Sequence, residues 1–248
     1  MKYKSVFISD LHLGIKSVNP DLLIDFLKEN EFENIFLVGD IIDLWKLKRS
    51  WHWPEANNRF VRRILKESKK TNVVYLTGNH DDFLRIISGF NLGNIDIEDE
   101  YIYESGDKKV LIVHGDLFDS IVKHNVKIAK LGAIGYELLL RINVISDFVR
   151  KRILRKKTHW SLSAAIKGKV KNAVKYINRF EESMANYTKV KGCDIIICGH
   201  IHCATIRNLE GITYINCGDF VESLTVVVET EDGEFKIIDF KEGVPAKE

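Results

Sequence analysis

The chain has 248 residues with 45% hydrophobic content, and its 37 Lys and Arg against 35 Asp and Glu give a formal net charge of +2. This length and hydrophobic content allow a substantial core in one large α/β domain, although length alone would also permit two domains. The sequence has only three prolines and no low-complexity tract, which argues against a long linker.

The first predicted strand lies close to the N-terminus. The segment MKYKSVFISD runs straight into it, so we expect no signal peptide and a cytoplasmic chain. The apolar run VFIS ends at Asp10, and His12 follows two residues later. An Asp and a His at this spacing in a non-helical turn can both reach one metal ion.

Beyond the first strand, helices and strands alternate. The sequence predicts one helix after Asn19-Pro20 and a second from Glu55 to Lys70, each with an apolar face. Four further apolar runs predict buried strands that end at residues able to bind a metal: Asp40 after IFLV, Asn79 after VVYL, His114 after VLIV, and His200 with His202 after DIIIC. Because ligand sites in α/β sheets form at the carboxyl ends of strands, we expect these residues to lie close together. Short strands follow His202, with a hairpin turn at Asp232-Gly233.

The predicted ligands are two carboxylates, one amide oxygen and four imidazoles, enough for two divalent cations. This set suits Mn²⁺, our expected metal, or Fe²⁺, Co²⁺ or Zn²⁺ better than Ca²⁺. The cysteines lack Cys-x-x-Cys spacing and are expected to be reduced thiols rather than a separate zinc site: Cys193, Cys198, Cys203 and Cys217. Two cations about 4 Å apart suit the hydrolysis of a phosphoester.

The motifs D-x-H, GD-x-x-D, GNH-D, a lone His after a strand and GH-x-H, in this order over Ser9 to His202, resemble the calcineurin-like metallophosphoesterase superfamily. The resemblance implies an α/β fold with a two-sheet β-sandwich core flanked by helices. It implies that one metal binds Asp10, His12, Asp40 and His202, and that the second binds Asp40, Asn79, His114 and His200. It also implies that His80 protonates the leaving oxygen or stabilises charge on the phosphoryl group, with Asp81 a candidate to orient its imidazole. Asp43 and Asp116 could equally be turn residues, supporting residues or direct ligands, and we assign neither as a ligand.

Residues 117–191, inserted between the His114 and GHIH motifs, are predicted to be helical almost throughout. They hold 17 Lys and Arg against 5 Asp and Glu, a net charge of +12, which leaves −10 on the rest of the chain. Because both ends flank predicted ligand loops, we expect a basic helical cap subdomain within a single domain of residues 1–248. The apolar segment Leu131 to Val149 contains charged residues that argue against a transmembrane span. Beside the basic cluster Arg150 to Lys157, it suits contact with an anionic membrane surface or with acyl chains.

The runs GDIIDLW and WHWP, the segments HGDLFD and NCGDFVES, and the basic insertion resemble the bacterial UDP-2,3-diacylglucosamine pyrophosphatase branch of the superfamily. This resemblance implies cleavage of a diacylated nucleotide sugar to a lipid monophosphate and UMP in lipid A synthesis, at the cytoplasmic face of the inner membrane. It implies six substrate contacts: Arg85, Asp119, Ser161, Lys167, Lys171 and Asn172. The best-known members have Arg where this chain has His80, so a sister group with a different phosphoester substrate stays open.

Three alternatives remain at this stage. Trp45, Trp51 and Trp53 either form an aromatic wall beside the site or pack their loop onto the core. The basic insertion could instead bind nucleic-acid phosphates in a nuclease, or serve a cyclic-nucleotide phosphodiesterase, although we expect no stable nucleic-acid partner. A non-catalytic scaffold is disfavoured, because this chain keeps every ligand motif.

Overall fold

The computed structural model describes residues 1–120 and 162–242, and it describes the backbone alone for residues 162–172. The chain divides into two compact units, one of residues 1–116 with 184–248 and the other of residues 117–183. Most of the predicted cap, including the segment Leu131 to Val149, lies outside the described residues, so the cap stays a prediction. Among the described residues, the helices include none that is long and apolar enough to cross a bilayer.

The strands of the described residues are β1 Lys2–Ile8, β2 Glu31–Val38, β3 Asn72–Leu76, β4 Phe90–Leu92, β5 Ile95–Glu98, β6 Glu100–Ser105, β7 Lys108–Val113, β8 Ile195–Cys198, β9 Thr205–Leu209, β10 Ile212–Asn216, β11 Thr225–Glu229 and β12 Phe235–Asp239. The α-helices are α1 Asp21–Glu29, α2 Leu44–Arg49, α3 Glu55–Glu67 and α4 Leu162–Val190, and short 3₁₀ helices cover Asp82–Ile87 and Asp116–Ser120. The strands predicted to carry metal ligands are all present.

The strands form two sheets. The larger has the order β12-β11-β1-β2-β3-β5-β4, and the smaller has the order β6-β7-β8-β10-β9. Strands β1, β2, β3 and β5 run parallel to one another, as do β7, β8 and β10 in the other sheet. Within each parallel group the carboxyl ends lie at one edge of the sheet. This mixed α/β architecture of two sheets with flanking helices confirms the predicted fold class.

Alternation along β1 explains the layers. Val6 and Ile8 pack in a cluster with the buried residues of helices α1 and α3, whereas Phe7 points to the opposite face. There Phe7 stacks on Phe36 of β2 at 4.9 Å between ring centroids, and both pack with Ile112 and other residues of the smaller sheet. One apolar core therefore lies between the sheets and a second lies under the helices.

Candidate metal centre

The predicted ligands follow the carboxyl ends of β1, β2, β3, β7 and β8, and hydrogen bonds tie these loops together. The backbone N–H of His12 donates to the carbonyl of Asp40 at 2.9 Å. The backbone N–H of His80 donates to Oδ1 of Asp40 at 2.7 Å, and that of His200 donates to Oδ2 of Asp10 at 2.8 Å. Each carboxylate thus uses one oxygen to accept a backbone N–H and keeps the other for the centre.

The free carboxylate oxygens face imidazole nitrogens. Asp10 Oδ1 lies 2.9 Å from Nε2 of His202 and 3.6 Å from Nε2 of His12. Asp40 Oδ2 lies 3.4 Å from Nε2 of His114 and 3.8 Å from Nε2 of His12. Three groups have potential ligand atoms that all lie within 4.8 Å of one another: Asp10, His12 and His202; His12, Asp40 and His80; and Asp10, Asp40 and His114. These overlapping groups share Asp10, His12 and Asp40.

The hydrogen bonding of the buried polar atoms shows whether these residues fit metal ions. In the described part of the chain, Asn79 Oδ1 is buried and accepts no hydrogen bond, and the buried atoms Asp10 Oδ1 and His114 Nε2 contact charged groups of the cluster itself. Burying such atoms unpaired costs free energy, and a bound cation removes that cost. The donor set fits divalent cations, but the division of its members between two ions stays a prediction. His200 reaches the same place, since its ring packs edge-on against that of His114 at 5.3 Å.

The backbone of the centre is strained. Five candidate ligands have a left-handed backbone conformation: Asp10 (φ 51°), His12 (φ 50°), Asp40 (φ 54°), His200 (φ 68°) and His202 (φ 55°). In the described residues only two other non-glycine residues have positive φ, Glu210 and Leu224. This conformation costs a non-glycine residue roughly 1 to 2 kcal/mol and clusters at functional sites. The strain turns the ligand side chains toward the centre immediately after their strands.

Two glycines allow the loops to approach closely. A Cβ atom added at Gly78 would overlap Oδ1 and the backbone nitrogen of Asp40. A Cβ atom added at Gly199 would overlap Oγ of Ser9 and Oδ2 of Asp10. Neither position has a positive φ, so the constraint is steric rather than conformational. Any side chain at these positions would displace a candidate ligand.

Opposite charges outweigh burial in setting the protonation of the cluster. Burial alone would raise the pKa of Asp40 and lower that of His114, but their mutual attraction lowers the pKa of Asp40 to about 2 and raises that of His114 to about 10. Burial likewise opposes the shift at His12, whose contacts with Asp10 and Asp43 raise its pKa to about 9. Burial also works against the shift at Asp10, where the charge of His202 holds the pKa well below its ordinary value. Without metal, His12 and His114 therefore hold protons at neutral pH.

The carboxylate beside His80 is Asp43, which corrects the expectation that Asp81 takes this position. His80 Nδ1 lies 3.1 Å from Asp43 Oδ1, and Asp43 also lies 3.4 Å from Nδ1 of His12. Asp43 is held in place as the N-cap of α2, where it accepts the backbone N–H of Lys46 at 2.7 Å. The Asp81 carboxylate instead accepts hydrogen bonds from the backbone N–H groups of Ile41 and Gly78 and from the hydroxyl of Tyr75.

The predicted substrate contacts are only partly described. Arg85 makes a bidentate contact with Asp116, with Nη2 at 2.9 and 2.8 Å from the two carboxylate oxygens. Asp119 accepts a hydrogen bond from the hydroxyl of Tyr176 in the second unit. Ser161 lies outside the described residues, and so do the side chains of Lys167, Lys171 and Asn172 on helix α4. Their contact with substrate stays a prediction.

The sequence missed Asp219, a buried carboxylate that lies near His202. Its buried carboxylate accepts the backbone N–H groups of Val221 and Glu222 at 2.8 and 2.5 Å, and its Oδ2 lies 3.9 Å from Nδ1 of His202. Asp219 follows the end of β10, so the rule that found the other site residues, a polar residue just after an apolar strand, would have found it.

Trp45 places an aromatic ring on His80. The two ring centroids are 4.6 Å apart with an interplanar angle of 33°, and the indole remains 47% exposed. Trp53 instead packs against the core, with Nε1 donating to Oδ1 of Asn58 at 2.8 Å. Trp45 and Trp53 therefore take the two different roles considered for these tryptophans, and Trp51 remains exposed.

The chain is similar to known proteins over most of its length. The model of the Calcineurin-like phosphoesterase family matches residues 3–204. A UDP-2,3-diacylglucosamine hydrolase of Haemophilus influenzae is 24% identical, covering 94% of this chain and 98% of its own, and one of Neisseria meningitidis is 26% identical, covering 86% and 88%. Among solved structures, a phosphoesterase from E. coli has a TM-score of 0.48 at 13% identity, covering 98% of this chain and 96% of its own. A novel archaeal phosphodiesterase has a TM-score of 0.45 at 16% identity, covering 95% and 99%.

Proposed function

The chain belongs to the calcineurin-like phosphoesterase family and is a metal-dependent phosphoester hydrolase, and we propose that it hydrolyses the pyrophosphate of UDP-2,3-diacylglucosamine. The products would be 2,3-diacylglucosamine 1-phosphate and UMP. The observation that carries this proposal is the similarity to hydrolases named for that substrate. This similarity covers 94% of the chain and therefore includes parts of both compact units. At 24 to 26% identity the similarity supports the substrate class and calls for a direct assay.

The proposed ligands are those brought together at the strand ends: Asp10, His12, Asp40, Asn79, His114, His200 and His202. Two divalent cations bound there, Mn²⁺ being our expectation, would polarise the phosphoryl oxygens and lower the pKa of a water. The left-handed backbone and the hydrogen bonds between loops hold the carboxylates in position before metal arrives. The chain therefore provides a preorganised cluster of two carboxylates that attracts cations.

His80 is the proposed proton donor to the leaving oxygen. Its side chain is 19% exposed, in contrast to the buried Asp40 beside it, so a substrate can reach it. Asp43 next to Nδ1 favours the tautomer with a proton on that atom and leaves Nε2 to face the substrate. Nε2 of the imidazolium form would give its proton to the oxygen that leaves phosphorus.

His80 also supports a second candidate function. The imidazole lies where the resemblance to the diacylglucosamine branch implies an arginine, so another lipid-linked or nucleotide pyrophosphate is the alternative substrate. An imidazole delivers a proton near neutral pH, whereas an arginine stays charged and serves phosphate binding. Both candidates share the chemistry and differ in the leaving group.

Release of UMP from the acylated UDP-sugar in the presence of Mn²⁺ tests the proposal. We expect turnover that stops on chelation, is restored by Mn²⁺ and is absent in Asp40→Asn. UDP-N-acetylglucosamine, which carries no long acyl chains, serves as the matched substrate and should react more slowly. Hydrolysis of bis(4-nitrophenyl) phosphate with no UMP release from the acylated sugar would reject this substrate and leave the phosphoesterase activity intact.

We further propose that the chain acts at the cytoplasmic face of the inner membrane, where a diacylated substrate resides. The basic insertion of residues 117–191 supports this, because its net charge of +12 favours an anionic surface. Recovery of the protein from cells in the washed membrane fraction, and its release by high salt, would be the expected behaviour of a peripheral protein.

A further inference from the structure

A basic and aromatic surface follows the loop of Asp40 and Asp43 in the first unit. Its five residues, which we call the 45–51 surface, are all exposed: Trp45, Lys46, Lys48, Arg49 and Trp51. Trp45 is 47% exposed and Trp51 is 77% exposed, the largest value for an aromatic side chain in the described residues. Indole rings left in water at this level, beside cations, point to a binding surface.

Buried neighbours hold this surface in a fixed shape. Leu47 turns inward and packs on Gly14, where a Cβ atom would lie 2.8 Å from Cγ of Leu47. Trp53 is anchored by its hydrogen bond to Asn58 and by the core. Between these two anchors, Trp51 extends outward at a centroid distance of 6.5 Å from Trp53. Trp51 is therefore exposed on a segment whose neighbours on both sides are anchored.

The spacing on α2 combines the aromatic and basic groups. Lys48 and Arg49 lie three and four residues after Trp45, so all three share one face of the helix. That face continues from the ring of His80, on which Trp45 stacks. The 45–51 surface therefore adjoins the candidate active site directly.

The cations of this surface differ from those nearby. On α3, Arg59 pairs with Asp21 and Arg62 pairs with Glu55. Within the described ranges, Lys46, Lys48 and Arg49 are exposed and have no ion-pair partner. Three exposed positive charges beside two exposed indoles complement an anionic, partly apolar partner.

We propose that the 45–51 surface docks on the anionic headgroups of a lipid bilayer. Tryptophan rings settle at the level of the headgroups, and Lys and Arg attract anionic lipid. The choice of lipid over another polyanion rests on the proposed function, since a diacylated substrate is presented by a membrane. Docking here would bring His80 to the membrane surface through Trp45 and shorten the path from the bilayer to the metal cluster.

Co-sedimentation with vesicles of phosphatidylglycerol and phosphatidylcholine tests this inference with the full chain. We expect binding to mixed vesicles and little to pure phosphatidylcholine. Lys48→Gln/Arg49→Gln should weaken binding by at least roughly tenfold, and Trp51→Ala should also weaken it. The matched control Lys66→Gln/Lys69→Gln removes one exposed charge from α3 and one from the turn that follows it, and it should bind as the unchanged protein does. All variants should hydrolyse bis(4-nitrophenyl) phosphate at the unchanged rate.

The outcomes separate this inference from the proposed function. Full vesicle binding by Lys48→Gln/Arg49→Gln would overturn it, as would a loss of RNA binding in that variant with vesicle binding unchanged. An equal loss in the control variant would show a general charge effect and would also overturn it. Selective loss of vesicle binding would support the docking surface even if the acylated UDP-sugar proved not to be the substrate.

Discussion

Nδ1 of His80 lies 3.1 Å from Oδ1 of Asp43, and the same carboxylate lies 3.4 Å from Nδ1 of His12. One aspartate therefore contacts both the proposed proton donor and a proposed metal ligand. Burial opposes the shift, but the hydrogen bonds from His12 and His80 hold the pKa of Asp43 well below its ordinary value. The charged carboxylate can thus orient both rings near neutral pH.

Replacing His80 tests its assignment as a proton donor. We expect His80→Ala to lower kcat by about 10² to 10⁴, because the leaving oxygen loses its acid. Metal content, measured by elemental mass spectrometry after loading with Mn²⁺, should stay at the unchanged level. Nε2 of His80 lies 4.0 Å from Asp40 Oδ2, close enough for both to bind one ion. Loss of metal from this variant would therefore show that His80 is a ligand.

Asp43→Asn should lower kcat less than His80→Ala does. The amide oxygen can still accept the backbone N–H of Lys46, but it cannot provide a charge for the two imidazoles. We expect kcat to fall by about tenfold with KM nearly unchanged, because the ring of His80 loses the carboxylate that lies 3.1 Å from its Nδ1. An unchanged kcat in the steady-state assay would contradict an orienting role.

Glycines 78 and 199 should be essential to the centre. Gly78→Ala would push against Asp40, and Gly199→Ala would push against Ser9 and Asp10. We expect each variant to bind Mn²⁺ at least roughly tenfold more weakly, as measured by calorimetry, because displaced ligands lose their geometry. The control is Gly106→Ala, which meets open space and should keep full metal affinity, although its φ of +62° costs stability. Unchanged affinity in both site variants would be incompatible with the packing described.

The sequence predicted which residues lie together at the strand ends better than it predicted the contacts that hold them there. Apolar runs ending at Asp40, Asn79 or His114 mark strands directly, because side-chain type and strand periodicity are local properties. The choice between Asp43 and Asp81 as the partner of His80 depends on the path of a loop from another strand. Adjacency in sequence favoured Asp81, yet its side chain turns to Ile41, Gly78 and Tyr75.

Other details also required three-dimensional structure. In the first helix Leu22 is 51% exposed and Ile24 is buried, a difference that the apolar run Leu22-Leu23-Ile24 does not reveal. Helical periodicity predicts how wide an apolar face is more reliably than it predicts which residues lie at the edge of that face. The left-handed backbone at Asp10 and His12 was also unpredictable, because such conformations arise only where the surrounding fold enforces them.

Asp81 should act on stability. Asp81→Ala removes the acceptor of two backbone N–H groups and of the Tyr75 hydroxyl, all of them buried. We expect the free energy of unfolding in urea to fall by about 3 kcal/mol. Tyr75→Phe removes one donor and leaves the carboxylate paired with both backbone groups, so its effect should be smaller. A loss in the tyrosine variant as large as that in Asp81→Ala would contradict this accounting.

The cap should select the substrate. We expect Lys167→Gln/Lys171→Gln to raise KM for the acylated UDP-sugar, because a positively charged cap binds its phosphates. Hydrolysis of bis(4-nitrophenyl) phosphate should be unchanged, since that reaction needs the metal cluster alone. Steady-state kinetics on both substrates measure the difference, and an equal loss on both would reject selection by the cap. Lys66→Gln/Lys69→Gln again supplies the control for lost charge.

Metal binding should release protons. His12 and His114 have raised pKa values, of about 9 and about 10, so both carry a proton at pH 7 before metal binds. A cation binds only the neutral imidazole, so about two protons should leave each chain at that pH. Affinity for Mn²⁺ should therefore rise with pH from 7 through 9 and level off above about pH 10. Calorimetric titrations in buffers of different ionisation enthalpy count the protons, and His12→Gln should release about one fewer. Binding with no proton release at pH 7 would contradict the charge balance that Asp10 and Asp40 impose on the cluster.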